Sequence, residues 1–391
     1  MKLFVIGCGQ CGGKIADQFA LMNSIIENQR SIRVCTNVIA VNTDVADLSG
    51  LLHIKRDYGH RILIGSKRTG GHGVGKLNEI GAEIAKEDAE KVMEAVRNSE
   101  FLGSTDAFML IASAAGGTGS GAIAVLTQTI KERFPDKPVY NIIALPFAYE
   151  EVTEERSVYN VGTCLKSAYL AADSVFLVDN QRYLEENASV KENLDKINYN
   201  IVKPFFNILC AGEETNPKYI GSRVLDGGDI IQTLAGWSVI GYGNSGAGGK
   251  KATSFAKNDF TNKNSNSSKG LAAMDQALAK LSLKCDPADA RKAVYLLSCP
   301  NVEMGMETIK GLSAALKSMA TNAIIRSGDY PRSQRNEVEV TVILSELVNS
   351  KKVMSYFNKA LDFMTENQKR TTAFHDQEKI ERSFSDLPSL F

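Results

Sequence analysis

From residue 1 to about 180, short apolar runs rich in Val and Ile alternate with longer segments of helical period. The apolar runs predict strands at 2–6, 33–42, 106–113, 139–145 and 174–178. The intervening stretches predict helices near 13–23, 76–97, 120–132, 152–171 and 181–195, each long enough to serve as a crossover. This is the pattern of a doubly wound α/β domain, a parallel sheet covered by helices. Ligands of such sheets bind outside the carboxyl ends of the strands, so the loops following the apolar runs are where function is sought.

The pattern changes in the second half. Residues 199–213 read as a further helix, with Pro204 tolerated near its first turn, followed by a loop carrying Asp226 and Asp229. Residues 241–270 are dense in Gly, Asn, Ser and Lys, a composition that builds no core and predicts a mobile loop. Helix 271–283, strand 293–298, helix 304–321, strands 322–326 and 337–345, and helix 351–364 then suggest a smaller α+β domain. The expected organisation is therefore 1–198, a connecting segment 199–230, a second domain 231–365 with its insert at 241–270, and a polar, disordered tail 366–391.

Composition narrows the classes. At 391 residues, with 43% hydrophobic and 23% charged residues, the chain can bury a large core and form two domains. Lys+Arg and Asp+Glu are both 45, so no bulk field draws it to nucleic acid or anionic lipid, and any polyanion must be held by a local site. No run approaches the ~18 apolar residues of a spanning helix, and no signal precedes the strand at 2–6, which predicts a cytoplasmic protein without membrane insertion. The seven cysteines are odd in number and mostly in apolar surroundings, as expected of reduced thiols.

The 32 glycines direct attention to loops. Gly7-Cys8-Gly9-Gln10-Cys11-Gly12-Gly13 follows a predicted strand and opens a helix, fitting GxGxxG. There the backbone can approach a phosphate and meet a helix amino end, though a tight packing turn would use the same residues. Ala115-Gly116-Gly117-Thr118-Gly119-Ser120-Gly121 is more specific, because its amides can wrap a di- or triphosphate while Thr118 and Ser120 add hydroxyl donors. A purely packing reason for that density is hard to find. A third loop, Gly70-Gly71-His72-Gly73-Val74-Gly75, is placed to meet a terminal phosphate, and Val41-Asn42-Thr43-Asp44 sets a carboxylate at the same edge, suited to Mg²⁺ or to capping a turn.

Other chemistries are absent or weak. No Gly-Lys is followed by Ser or Thr, which excludes a P-loop NTPase, and the four histidines are too scattered for a zinc site. Cys8-x-x-Cys11 matches a redox spacing, but its residues already form the glycine turn. A dinucleotide-dependent oxidoreductase would want an acid about 20 residues past the first loop; Asp44 lies 32 past Gly12 (44 − 12). Such an enzyme also gives no reason for the richer loop at 116–121.

In order and spacing these loops resemble the tubulin/FtsZ superfamily of polymer-forming GTPases. Gly116-Gly117-Thr118-Gly119-Ser120-Gly121 is similar to its GGGTG[ST]G signature, with Ala115 in place of the first glycine. Gly9-Gln10-Cys11-Gly12 is similar to the tubulin first loop, whereas Asn42-Thr43-Asp44 and Gly71-His72-Gly73-Val74-Gly75 look like FtsZ, a mixture pointing to the CetZ-like group. The resemblance implies a Rossmann-like GTPase domain joined by a central helix to the α+β domain, bound GTP or GDP with Mg²⁺, and head-to-tail self-association in filaments serving cell shape or organisation.

Carried over residue by residue, Gly9, Gln10, Cys11, Gly12, Gly13 and Lys14 would lie along the phosphates with Gly71, Gly73 and the 115–121 loop, and Gln10 and Asp44 near the metal. Glu150, in Pro146-Phe147-Ala148-Tyr149-Glu150, would bond the ribose. Where FtsZ has an arginine this chain has Glu154, with Arg156 two residues on. Asn180 and either Asn198 or Asn200 would read the base, an amide being able to pair with guanine's edge, though each could cap a helix instead. Leu225-Asp226-Gly227-Gly228-Asp229 resembles the synergy loop, with Val224 in place of its asparagine. Asp226 and Asp229 would then act on a neighbour's γ-phosphate, although Asp229 as a helix cap, and with it a non-hydrolysing scaffold, is the alternative. The ending Asp386-Leu387-Pro388-Ser389-Leu390-Phe391 faintly resembles the FtsZ peptide that binds membrane-tethering or regulatory partners.

Overall fold

The computed structural model describes residues 1–185, 189–246, 265–301, 304–332 and 337–373. In chain order the first half runs β1 (Leu3–Cys8), α1 (Gly9–Arg30), β2 (Cys35–Asn42), α2 (Val45–Ser49), β3 (Arg61–Leu63), α3 (Ser66–Thr69), α4 (Asn78–Glu87), α5 (Ala89–Arg97), β4 (Ala107–Ser113), α6 (Thr118–Arg133), β5 (Val139–Leu145), α7 (Ala148–Thr153), α8 (Glu155–Ala171) and β6 (Ser174–Asp179). Then follow α9 (Val190–Ala211), α10 (Gly227–Thr233), β7 (Gly236–Ser245), α11 (Ser265–Ala279), β8 (Lys292–Cys299), α12 (Met306–Met319), β9 (Ile324–Pro331), β10 (Val338–Ser345) and α13 (Lys351–Ala373).

All ten strands join one sheet in the order β3-β2-β1-β4-β5-β6-β7-β10-β8-β9. The pairs from β3 to β7 are parallel, β10 is antiparallel to both β7 and β8, and β8 pairs parallel with β9. The parallel strands are mostly apolar because both faces are covered. Alternation along β1 sends Phe4, Ile6 and Cys8 to a core with α4, α5, α6, α8 and α13, and Leu3 and Val5 to a core with α1 and α9. Within the second core Phe19 of α1 meets Phe205 and Phe206 of α9 at centroid distances of 6.0 and 5.6 Å.

Several expectations are corrected. Helices expected at 181–195 and 199–213 are one helix, α9, whose start is fixed by a capping box at Ser189, where the Oγ accepts from Glu192 N and the Glu192 carboxylate accepts from Ser189 N. A boundary at 198/199 would cut this helix, and Pro204 sits inside it rather than near its first turn. Lacking an N–H, Pro204 leaves the Asn200 carbonyl without its helical donor. The run 76–97 breaks at Asp88 and 152–171 at Glu154, while α1 and α13 extend beyond 13–23 and 351–364. Residues 366–373, assigned to the tail, are the end of α13, and the final peptide 386–391 lies outside the described residues. The strand expected at 322–326 is β9, 324–331.

The expected mobile segment 241–270 is also mostly wrong at its ends. Residues 241–245 complete β7 and 265–270 begin α11, whereas 247–264 lie outside the described residues. Gly241 and Gly243 are there because α11 rests directly on β7: a Cβ at Gly243 would stand 1.9 Å from the Ala273 carbonyl oxygen, and one at Gly241 2.2 Å from that of Ala277. Composition read these glycines as slack, but they are close-packing positions. Gly243→Ala is therefore expected to cost about 1–3 kcal/mol in urea unfolding, as overpacking does. Gly103→Ala, where a Cβ meets nothing within 4 Å, should change the midpoint little.

Candidate functional site

The loops singled out in the sequence converge at the carboxyl edge of the parallel strands. Gly9 takes φ +70°, which lets the chain turn directly from β1 into α1. A Cβ there would lie 2.8 Å from Gly119 N, and a Cβ on Gly119 would lie 2.6 Å from Cys8 O, so the first and second glycine loops are in backbone contact. Gly12 and Gly121 are equally constrained, by Ile111 O at 2.0 Å and Asn78 O at 2.1 Å. Packing thus does account for much of the glycine density. Gly116 in the second loop and Gly75 in the third are exceptions, with no atom within 4 Å of their Cβ positions. Neither α1 nor α6 has a side-chain cap or an acidic residue in its first turn, so both present free amides and a positive end to this opening.

The hydroxyls are committed to the loops. Thr118 Oγ1 is 2.6 Å from Thr43 Oγ1, tying α6 to the end of β2. Ser120 Oγ donates back to Gly116 O and, at 3.4 Å, to Gly117 O, so it braces the loop. Asn160 of α8, which no sequence signal marked, is fully buried; its Nδ2 reaches Lys76 O at 2.9 Å and both Ala115 O and Gly116 O at 3.1 Å. It fastens the second loop to the third.

The third loop holds Gly70, Gly71, Gly73, Gly75 and Lys76 at positive φ. Gly73 N donates to Thr43 O at 3.2 Å and Val45 N to Gly71 O at 3.0 Å, which seats it beside β2. Lys76 pairs with Glu154, and Arg156 pairs with Glu79. Arg156 is thus engaged in this bridge between the third loop and α8.

Asp44 Oδ1 caps α2, accepting from Asp47 N at 3.1 Å. Asp47, missed in the sequence although it lies three residues beyond Asp44, accepts from Gln10 Nε2 at 2.8 Å and Asn42 Nδ2 at 3.0 Å. Among the described residues no group of three or more His, Cys, Asp or Glu side chains forms a metal cage. The donors present suit a Mg²⁺ that keeps water and phosphate oxygens and takes only one or two protein ligands. Lys14 donates to Gly50 O, at the end of α2.

Farther along the same edge, Glu150 caps α7 through Phe147 N at 2.8 Å. Asn180, directly after β6, is buried, and its Oδ1 has no hydrogen-bond partner. A buried amide oxygen without a donor is costly, and this is one of seven such side-chain atoms among the described residues. On α9, Asn198 falls on the helical stripe of the buried Ile201 and Val202 and is itself half-buried, whereas Asn200 is exposed on the opposite side. The wheel favours Asn198 of the two candidates.

Asp226 and Asp229 lie at the other edge. Gly227 packs on Met1, its Cβ position 3.4 Å from that of Met1, which puts this loop beside the amino end of β1. Six residues of strand, ~20 Å, separate it from the glycine loops. The helix cap is Asp226, whose Oδ1 accepts from Asp229 N at 2.8 Å; Asp229, expected as the alternative cap, instead bonds Arg326 Nη1 through Oδ1 at 2.5 Å.

Comparison with known proteins follows this geometry. Residues 2–187 match the Tubulin/FtsZ family, GTPase domain, and residues 187–362 match the Tubulin-like CetZ, C-terminal domain. The tubulin-like protein CetZ1 of Haloferax volcanii is 32% identical over 364 residues, covering 89% of each chain. Its structure as a GDP-bound monomer superposes with a TM-score of 0.78 at 28% identity, covering 93% of this chain and 99% of that one. CetZ2 of the same organism, in a GTPγS-bound protofilament, gives 0.78 and 28%, covering 94% and 100%.

The cysteines yield a pH prediction. Burial pushes the thiols of Cys8, Cys11, Cys164, Cys210 and Cys285 from 9.0 up to about 12, so Cys8 and Cys11 carry no activated thiolate. Below the ordinary thiol value both folded and unfolded chains are protonated and stability is intact; above it only the unfolded chain ionises, drawing the equilibrium toward unfolding. The urea midpoint under reducing conditions should fall between about pH 8 and about pH 10.5. An unchanged midpoint would mean that the thiols reach solvent.

Proposed function

Because this chain belongs to the tubulin-like CetZ proteins of the tubulin/FtsZ family, we propose that it binds GTP at the carboxyl edge of its sheet and hydrolyses it only where a second copy stacks on that edge. The observation that carries this reading is the separation of the two half-sites. Free amides, the open face of Gly116 and the orphan Asn180 oxygen lie at one end, and Asp226 and Asp229 lie at the other. No motion within one folded subunit brings ends ~20 Å apart together. The relatives solved as a GDP-bound monomer and a GTPγS-bound protofilament support the same reading.

In this scheme Asn180 and Asn198 pair with the guanine edge, Glu150 with the ribose, and the amides of residues 9–13 and 116–121 with the phosphates. Mg²⁺, when bound, offsets phosphate charge, with Gln10 and Asp44 as its side chains and Asp47 holding Gln10 in place. From the stacked neighbour, Asp226 and Asp229 each present one carboxylate oxygen, the other being anchored as described. The free oxygens accept hydrogen bonds from the attacking water and orient it in line with the γ-phosphate. The glycine-loop amides stabilise the charge that develops. Filaments made this way would have a lifetime limited by hydrolysis and would act in the cytoplasm on cell shape or organisation, with the peptide 386–391 as a contact for a tethering or regulatory protein.

GTP turnover per molecule should rise with protein concentration, since the site needs two subunits; a rate independent of concentration would sink the shared-site mechanism. Asp229→Ala should keep GTP binding and sedimentable polymer while losing ~10²-fold or more of the turnover. Asn180→Ala should weaken GTP binding by about 10-fold and ATP binding far less, measured by equilibrium titration.

A further inference from the structure

The synergy-loop segment is clamped by β9, the edge strand of the second domain. The Asp329 carboxylate accepts from Ser222 N at 2.8 Å and Arg223 N at 2.5 Å, and Asp329 N donates to Arg223 O at 3.0 Å. Gly328 brings the strand into contact with Leu225, where an added Cβ would stand 2.7 Å from the leucine Cβ. Two residues before Gly328, Arg326 reaches across with both arms of its guanidinium, Nη1 to Asp229 Oδ1 and Nη2 to Gln232 Oε1. The fork therefore fixes the Asp229 side chain against α10 at two points one helical turn apart.

The chemistry of that arrangement is specific. A carboxylate has two oxygens, and Arg326 takes one of them. No hydrogen bond among the described residues reaches Asp229 Oδ2, and the side chain is 31% exposed, so that oxygen is left toward solvent on the surface a neighbour would cover. Asp226 is arranged alike, with Oδ1 spent on Asp229 N and the residue otherwise exposed. An aspartate rotating freely at a surface would sample several rotamers, and only some would place an oxygen on a neighbour's water. A charge-assisted fork removes that freedom before the contact forms. It also brings a cation beside the Asp229 carboxylate that must approach a triphosphate, lowering the like-charge repulsion of docking.

We propose that Arg326 is a positioning residue for the hydrolysis step: from the second domain it orients Asp229 toward the nucleotide of the next subunit. This rests on the shared-site reading above. Its consequence is that the second domain, beyond buttressing the first, sets the rate at which each contact fires.

The test uses the full chain, measuring GTP turnover and sedimented polymer together across protein concentrations. Wild type comes first, because a turnover per molecule that fails to rise with concentration overturns the shared-site reading itself. R326A is expected to polymerise at the wild-type critical concentration with an unchanged KM for GTP. Its turnover per polymerised subunit should fall about 10- to 100-fold. R326K, which keeps the charge but not the fork, should fall between the two. A purely structural role would instead shift the critical concentration and melting temperature while leaving turnover per polymerised subunit intact, and that result overturns the proposal. Should R326A fail to assemble, R326K decides: reduced turnover in intact polymer supports the assignment and wild-type turnover overturns it.

Discussion

The site depends on backbone segments lying closer together than any side chain permits. The β1–α1 turn touches α6 through Gly9 and Gly119, α1 lies on β4 through Gly12, and α6 lies on α4 through Gly121. At each of these a single Cβ would fall within 2.0–2.8 Å of a main-chain atom. Only because the segments close to that range do the amino ends of two helices point into one opening, where their partial positive charges add. With zero net charge on the chain, this local field is what distinguishes the edge as an anion site. The same closeness explains why the nearby hydroxyls face inward: Ser120 and Thr118 satisfy carbonyl and hydroxyl partners that the tight turn would otherwise strand.

A second constraint follows from strand direction. In a parallel sheet all carboxyl ends share one edge, so loops after β1, β2, β4, β5 and β6 must gather there whatever their sequence separation. Asp226 and Asp229 come after α9, which runs back to the opposite edge, where Glu213 just past its end meets the Met1 amine at 2.6 Å. Topology alone therefore divides the binding residues from the acids. Head-to-tail stacking of identical chains, as proposed above, would reunite them, and repeated without closing it would generate a filament.

Much of this was legible in the sequence because glycine patterns report backbone demands directly. The strand-loop-helix contexts at 7–13 and 115–121 needed no side-chain geometry to interpret, and β1, β2, β4, β5 and β6 follow from the apolar runs, whereas the three-residue β3 and the order of the strands in the sheet do not. What escaped detection was cooperative across long sequence separations. Asn160 sits mid-helix with nothing local to mark it, yet it binds carbonyls at 76, 115 and 116. Asp47 looked like an ordinary first-turn acid. Gly241 and Gly243 resembled linker because composition cannot see that α11 lies on them. The sequence reading split the long helix because Pro204 suggested a start, and merged its first half with the separate 3-10 turn Asn180–Tyr183, whereas the Ser189–Glu192 box and the buried stripe of Ile197, Ile201, Val202, Phe205, Ile208 and Leu209 set one helix from 190.

The continuity of the sheet bears on how the two ends communicate. β7 pairs with β6 through residues 236–238 and then with β10 through 239–245, so one strand belongs to both halves. α9 lies along this seam, about 33 Å long by its 22 residues, and its carboxyl end lies near the loop of Asp226 and Asp229. Beneath it, Lys203 donates to Tyr242 Oη at 2.8 Å and Tyr242 to Glu339 at 2.6 Å, a polar chain joining α9 to β7 and β10. Through β7 this helix is joined by strand pairing to β10, β8 and finally β9, and β9 holds the loop of Asp229. Pro204, one residue past Lys203, leaves one carbonyl of the helix, that of Asn200, without its donor.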